Sequence, residues 1–238
     1  MKNSHLIGAV CTAIFSFITL PSQAALIPVL DGQAYYDDVA DLTWLANANA
    51  AVGSVYDTYI PGSGRMIWHT AKAWAAGLDV DGVTGWRLPT SLNADGSGPC
   101  SADNCTGSEM GNMFYNVLGG VAGSSITTTH NSNYDLFSNI QPQSYWSSTE
   151  SDPAYWAWLF DFGGGSQYDF NKGVIAYAWA VHEGNVVVPP IDNGYTTIDT
   201  TSGLEWLDLT LTQGVSAQDV LNGFGGYVDA GWTFATAE

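Results

Sequence analysis

Residues 154–162 read AYWAWLFDF and residues 174–181 read VIAYAWAV. In the first stretch Trp156, Trp158, Phe160 and Phe162 alternate with Tyr155, Ala157, Leu159 and Asp161. In the second, Ile175, Tyr177, Trp179 and Val181 oppose Val174, Ala176, Ala178 and Ala180. A period of two is the pleat of a β-strand, and large side chains on one face with small ones on the other suit a sheet laid against a core. GGGSQ at 163–167 supplies turn chemistry between them, and YWSST at 145–149 adds a strand. This half of the chain therefore reads as an antiparallel meander.

Upstream the period changes. DLTWLA (41–46) reads as a short strand, and MIWHTAKAWAAG (66–77) sets Ile67, Ala71, Trp74 and Leu78 on one helical face closed by Gly77. A second helix is expected from TGSE, where Thr106 and Glu109 have capping-box spacing. Met110, Met113, Phe114, Val117 and Leu118 form its apolar stripe, and Gly119 ends it. Residues 120–144, rich in Gly, Ser, Thr and Asn, read as a long loop region.

The 238 residues contain 46% hydrophobic and 12% charged residues, with 10 Trp, enough apolar surface to offset the ordering entropy of a packed domain. Five Lys and Arg against 23 Asp and Glu give a net charge of −18, which excludes phosphate-backbone binding and argues against anionic membrane surfaces. Residues 1–24 have the form of a secretory signal: Lys2, the apolar run 6–20, and Ser22-Gln23-Ala24 as a small-x-small cleavage site. Its removal leaves four cations against the same 23 acids, a net −19. Nothing downstream approaches the ~20 apolar residues of a membrane span. Export leads to an oxidising compartment, where Cys100 and Cys105, the two cysteines beyond the signal, are expected to form a disulfide; a metal site would need two further ligands that His69 and His130 do not supply by spacing.

After NVVVPPIDN (185–193), whose prolines read as a linker, the chain begins again. LEWL (204–207) echoes LTWL (42–45), and SAQDVLNG…AGWTFAT (216–236) aligns without gaps on TAKAWAAG…TGWRLPT (70–90). The first copy carries 16 extra residues within or near 47–65. The expected organisation is thus a signal at 1–24, a domain at 25–184, a linker at 185–194, and at 195–238 a partial second repeat that lacks the second helix and aromatic strands and reads as truncated.

DLTWL (41–45), GWRLPT (85–90), CTGSEMGNMFY (105–115), YWSSTE (145–150) and YAWAV (177–181) together resemble the Lcl C-terminal domain family, bacterial exported domains of unknown function. The resemblance spans about residues 31–184. It implies an α+β, C-type-lectin-like fold, with two helices packed on one twisted antiparallel sheet and long loops. Residues 195–238 resemble the start of a related domain in exported bacterial proteins that end in a Pro-Glu-Pro sorting tail.

The usual calcium-dependent sugar site of lectin-like folds is not legible: Gln141-Pro142-Gln143 has the proline but no carboxylate, and Asp79, Asp81 and Gly82 lack the flanking carboxylates of a calcium loop. No cofactor or metal ligand set is expected, and no catalytic residue stands out, since there is no nucleophile elbow and no carboxylate pair is singled out by spacing. Trp44, Trp86 and Trp179 are expected in the core, where Trp buries the most area and its N–H finds an acceptor. Arg87 is expected to act as a structural fork on a carboxylate or strand carbonyls. The function that follows is an exported or cell-surface, non-enzymatic interaction module for a carbohydrate or another extracellular polymer, without nucleic-acid partners. A sulfated glycan fits badly because no basic cluster exists. The alternatives are a structural module that binds protein or itself, and a cryptic hydrolase.

Overall fold

The computed structural model describes residues 25–186, 191–192, 194–199 and 204–235. The expected signal at 1–24 lies outside them, as do residues 187–190 and 193 of the expected linker. Along the chain run β1 (Leu26–Val29), β2 (Ala34–Asp37), β3 (Leu42–Leu45), α1 (Trp68–Ala76), β4 (Ala102–Asp103) and α2 (Glu109–Gly111), which widens into a π-helical turn over Asn112–Val117. Then follow β5 (Ser144–Glu150), β6 (Trp156–Asp161), β7 (Ser166–Asn171), β8 (Val181–Glu183), β9 (Ile191–Asp192), β10 (Thr196–Asp199), β11 (Leu204–Leu207) and α3 (Ala217–Leu221). No helix among the described residues is long and apolar enough to cross a membrane.

The strands form three antiparallel sheets, ordered β1-β2-β3-β8, β4-β7-β6-β5 and β11-β10-β9. This overturns the α+β, C-type-lectin-like expectation of two helices on one twisted sheet: the described residues are mostly β, the longest helix among them has nine residues, and no single sheet carries the domain. The meander expected at the end also divides. GGGSQ joins β6 to β7, a strand the period-two reading passed over, while only Val181–Glu183 of the last stretch pairs as a strand, and with β3 of the other sheet. The reason lies in burial. Ala176, Tyr177, Ala178, Trp179, Ala180 and Val181 are buried irrespective of parity, so this segment is sandwiched between layers and gives its hydrogen bonds to both.

The second helix departs from expectation at its start. Ser108, not Thr106, caps it, its Oγ accepting the Gly111 N–H at 3.1 Å. The Glu109 carboxylate that a capping box would turn back to Thr106 is taken instead by Arg87, at 2.7 and 2.8 Å, and by the Thr90 N–H at 2.7 Å. The apolar stripe is buried throughout, but the backbone reaches it through a wider turn in which the Leu118 N–H bonds the Met113 carbonyl. Gly111 permits this approach, because a Cβ there would lie 1.7 Å from the Cys105 carbonyl oxygen. Cys105 itself is disulfide-bonded to Cys100, with the two Cα atoms 5.6 Å apart.

In α1 the buried face is Trp68, Ala71, Trp74 and Ala75, one position round from the expected Ile67 and Leu78. Ile67 provides no side-chain cap, and the Trp68 N–H is satisfied by the Lys172 carbonyl at 3.1 Å. The inserted loop before α1 is organised around Asp57, which is 6% exposed. Its carboxylate accepts the N–H groups of Gly53, Gly62 and Gly64 at 3.1, 2.7 and 3.0 Å. Burial acts to raise its pKa, but these N–H donors outweigh it and hold the group below its ordinary 3.8. Gly64 has φ +72°, and a Cβ there would meet Asn49 Oδ1 at 2.1 Å.

Three predictions follow from this architecture. Ser108→Ala should cost about 1 kcal/mol by urea denaturation while Thr106→Ala leaves the midpoint unchanged; the opposite order would restore the capping box at Thr106. Asp57→Asn should cost about 1.5–3 kcal/mol at pH 7, since it discharges the acceptor of buried donors. Because the folded pKa is depressed, that stabilisation is complete above 3.8 and lost as pH falls through the folded value. The gap between wild type and Asp57→Asn should accordingly close in strong acid, and a constant gap would contradict the assignment. Finally, β1–β8 keep their pairing within 26–183, so deleting 195–238 should leave the melting temperature of the remainder unchanged by calorimetry; a marked fall would make the repeat an integral part of the core.

Candidate functional site

The residues expected in the core are there: Trp44, Trp86 and Trp179 are 1%, 2% and 0% exposed. The indole N–H groups of Trp179 and Trp86 donate to backbone carbonyls, Trp179 to Leu45 at 2.8 Å and Trp86 to Val83 at 3.0 Å. Trp44 and Trp179 meet edge to face at 5.1 Å. These rings, like the Cys100–Cys105 bridge, are therefore unavailable to a ligand.

The four cations beyond residue 24 divide by role. Arg87 grips Glu109 in a two-pronged bond and also reaches Glu183. Burial alone would lower its pKa, but Glu109 and then Glu183 more than offset this and raise it. Lys172 pairs with Glu150 at 2.9 Å and lies 4.2 Å from the centroid of Trp68, which Lys72 also approaches at 4.5 Å. Arg65 differs. One Nη donates to the Ile175 carbonyl at 3.2 Å, the guanidinium carbon stands 5.8 Å from the Tyr177 ring centre, and its buried Nε has no hydrogen-bond partner among the described residues.

Arg65 lines a cleft of about 280 Å³ built on one face of the β5-β6-β7 sheet. Strand alternation places Leu159 and Asp161 of β6 and Tyr168 and Phe170 of β7 on that face, with Leu159 paired to Tyr168 in register. Gln143 and Ser144 enter from the start of β5, where Ser144 is paired to Asp161. Val174, Ile175 and Ala176 form the wall shared with Arg65. The Ser144 hydroxyl and the Tyr168 phenol are hydrogen-bonded at 2.7 Å. Burial raises the pKa of Asp161, against the opposing pull of the Gly163 and Gly164 N–H groups and the Ser144 hydroxyl. Phe170 is 46% exposed and turns a ring to solvent beside Trp156, 6.0 Å away. The cleft thus combines aromatic surface with an acceptor, a donor and an amide, which fits a small polar ligand with an apolar side.

A larger groove of about 570 Å³ runs past Val39, Leu92, Asn93, Ser108, Glu109 and Glu183. Its two carboxylates are committed to Arg87, so they serve the fold first. Sequence reasoning weighed none of the cleft residues for a ligand except Gln143, as part of a proline motif lacking a carboxylate; Leu159, Asp161, Val174, Ile175 and Ala176 were read only as positions on alternating strands. Two signals were present. Asp161 is an acid on the otherwise apolar face of an alternating strand, and Arg65 is one of very few cations in a strongly acidic chain.

No curated protein and no solved structure matches the chain. The profile of the Lcl C-terminal domain family matches residues 33–182, a span that holds β2 through β7, all but the last residue of β8 and the whole of the cleft. By that match, over more than half its length, the chain belongs to the Lcl C-terminal domain family.

Proposed function

We propose that this domain is an exported, non-enzymatic interaction module that binds a neutral extracellular glycan in the cleft between Arg65 and Phe170. The observation that carries the reading is the pairing of aromatic surface, the half-buried Tyr168 and the exposed Phe170, with Arg65, Asp161 and Gln143 in one cleft. A sugar ring has an apolar C–H face and a rim of hydroxyls, so it needs an aromatic surface together with fixed donors and acceptors. Arg65 supplies donors, Asp161 accepts, and the Gln143 amide does both. The strongly acidic composition disfavours a polyanionic ligand, because a lone Arg cannot neutralise one. Export is supported by the Cys100–Cys105 disulfide and by membership of a bacterial domain family. The non-enzymatic reading is supported by the lining of the cleft, where Asp161 is the single carboxylate among the described residues and two-carboxylate glycoside hydrolysis lacks its second group.

The test is a neutral-glycan array probed with the chain, followed by titration of the best hit against Phe170→Ala and Arg65→Ala. Each variant should weaken binding at least ~10-fold, the cost of one buried contact or charged hydrogen bond, while melting as wild type does. Undiminished binding by both variants would move the site elsewhere, and release of reducing ends from the hit would make the domain an enzyme.

A further inference from the structure

Arg65 and Asp161 enter the same cleft from opposite sides. Met66, the neighbour of Arg65, exchanges hydrogen bonds with Ala176, the Tyr177 N–H donates to the Ser144 carbonyl at 3.0 Å, and Ser144 lies opposite Asp161. The two backbones are thus three ladder steps apart, roughly 14 Å at ~4.8 Å a step. Both side chains line the cleft between them, yet they do not pair: among the described residues the ion pairs are those of Arg87 and Lys172. A guanidinium and a carboxylate held in one cleft without meeting leave a space that a ligand can bridge.

Each group keeps hydrogen-bonding capacity for that purpose. Arg65 presents a fork of N–H donors, and among the described residues it makes one hydrogen bond, to the Ile175 carbonyl at 3.2 Å. Asp161 accepts the Gly163 N–H at 3.2 Å and the Ser144 hydroxyl, and a carboxylate has lone pairs to spare beyond these. The lining beside them is apolar. Leu159 precedes Asp161 by two residues on the same face of β6, and Val174 stands on the wall next to Ile175. A hydroxyl set against Leu159 or Val174 would be buried without a partner, which is costly, whereas a methyl group gains by leaving water. A group that fits must therefore offer an acceptor to Arg65, a donor to Asp161 and a methyl to the apolar lining. A planar trans amide points its C=O and N–H in opposite directions, and an acetamide adds the methyl.

We propose that the glycan held in this cleft carries an N-acetylated amino sugar, whose acetamide carbonyl accepts from Arg65, whose N–H donates to Asp161, and whose methyl packs on Leu159 and Val174. The inference rests on the glycan reading above and names the sugar class within it. Both hydrogen bonds involve a charged partner, so each contributes more than a bond between neutral groups.

The experiment is calorimetric titration of the whole chain with two trisaccharides, N,N′,N″-triacetylchitotriose and cellotriose, which share a β-1,4 backbone and differ in having acetamides or hydroxyls at the second carbon of each ring. The acetylated trisaccharide should bind at least ~10-fold more tightly, the effect of one charge-assisted hydrogen bond. Asp161→Asn keeps an oxygen for the Gly163 N–H but removes the charge, and should cut that preference to less than ~3-fold. Equal binding of the two ligands, or tighter binding of cellotriose, overturns the acetamide, and the wild-type chain alone decides this if the variant melts early. A preference that Asp161→Asn leaves intact in a folded variant overturns the role of Asp161. If neither trisaccharide binds while another neutral glycan binds through Arg65 and Phe170, the acetamide falls and the glycan cleft stands; if no neutral glycan binds, both fall.

Discussion

Residues 176–183 hold the two large sheets together, and most other features of the domain depend on that crossing. Ala176 exchanges hydrogen bonds with Met66, Tyr177 with Ser144 and Trp146, and Val181 with Arg87, while the Ala180 carbonyl accepts from Leu45. A backbone buried on every side must find partners for each N–H and C=O, and here they come alternately from the β5 layer, the β3 layer and the segments entering and leaving α1. Trp179 fills the junction, touching Trp44, Phe137, Tyr145 and Phe162. The alternation of large and small residues in VIAYAWAV lets one ring-rich side pack while the alanines admit close approach of the opposite layer.

The same crossing makes the cleft. Val174, Ile175 and Ala176 leave the sheet edge to begin the traverse, and the wall they form holds Arg65 through the Ile175 carbonyl. Arg65 is delivered by the end of the inserted loop, whose path is set by the Asp57 carboxylate and by the contact of Gly64 with Asn49. The candidate binding group is thus placed by buried interactions that never touch a ligand, which keeps its position fixed before binding.

Charge is distributed with the same economy. In a chain so acidic, two of the four cations beyond residue 24 are spent on ion pairs that join distant segments, Arg87 linking α2 to β8 and Lys172 linking the end of β7 to β5. Lys72 and Lys172 both sit against the Trp68 ring, and for the buried Lys172 the π face partly replaces the water its ammonium loses. The second unit has Thr233 where the first has Arg87, so it lacks the fork that ties GWRLPT to its surroundings.

Much of this was legible from the order of residues. Period two in AYWAWLFDF and the stripe from Met110 to Leu118 marked which side chains are buried, because burial follows from chemistry repeated at the spacing of the backbone. The Cys100–Cys105 bridge, the core positions of Trp44, Trp86 and Trp179, and the repeat of LTWL as LEWL were also visible there. What only the tertiary structure decided is which layer each buried face meets. An alternating pattern says that a strand is covered but not by what, so one expected sheet became two and an expected helix became a cap at Ser108 followed by a wide turn. The cleft belongs to the same class of fact. Ser144, Asp161 and Phe170 come from the three consecutive strands β5, β6 and β7, but Arg65 comes from far upstream, and what brings it to them is the choice of hydrogen-bond partners by a doubly buried backbone, a choice that local spacing does not encode.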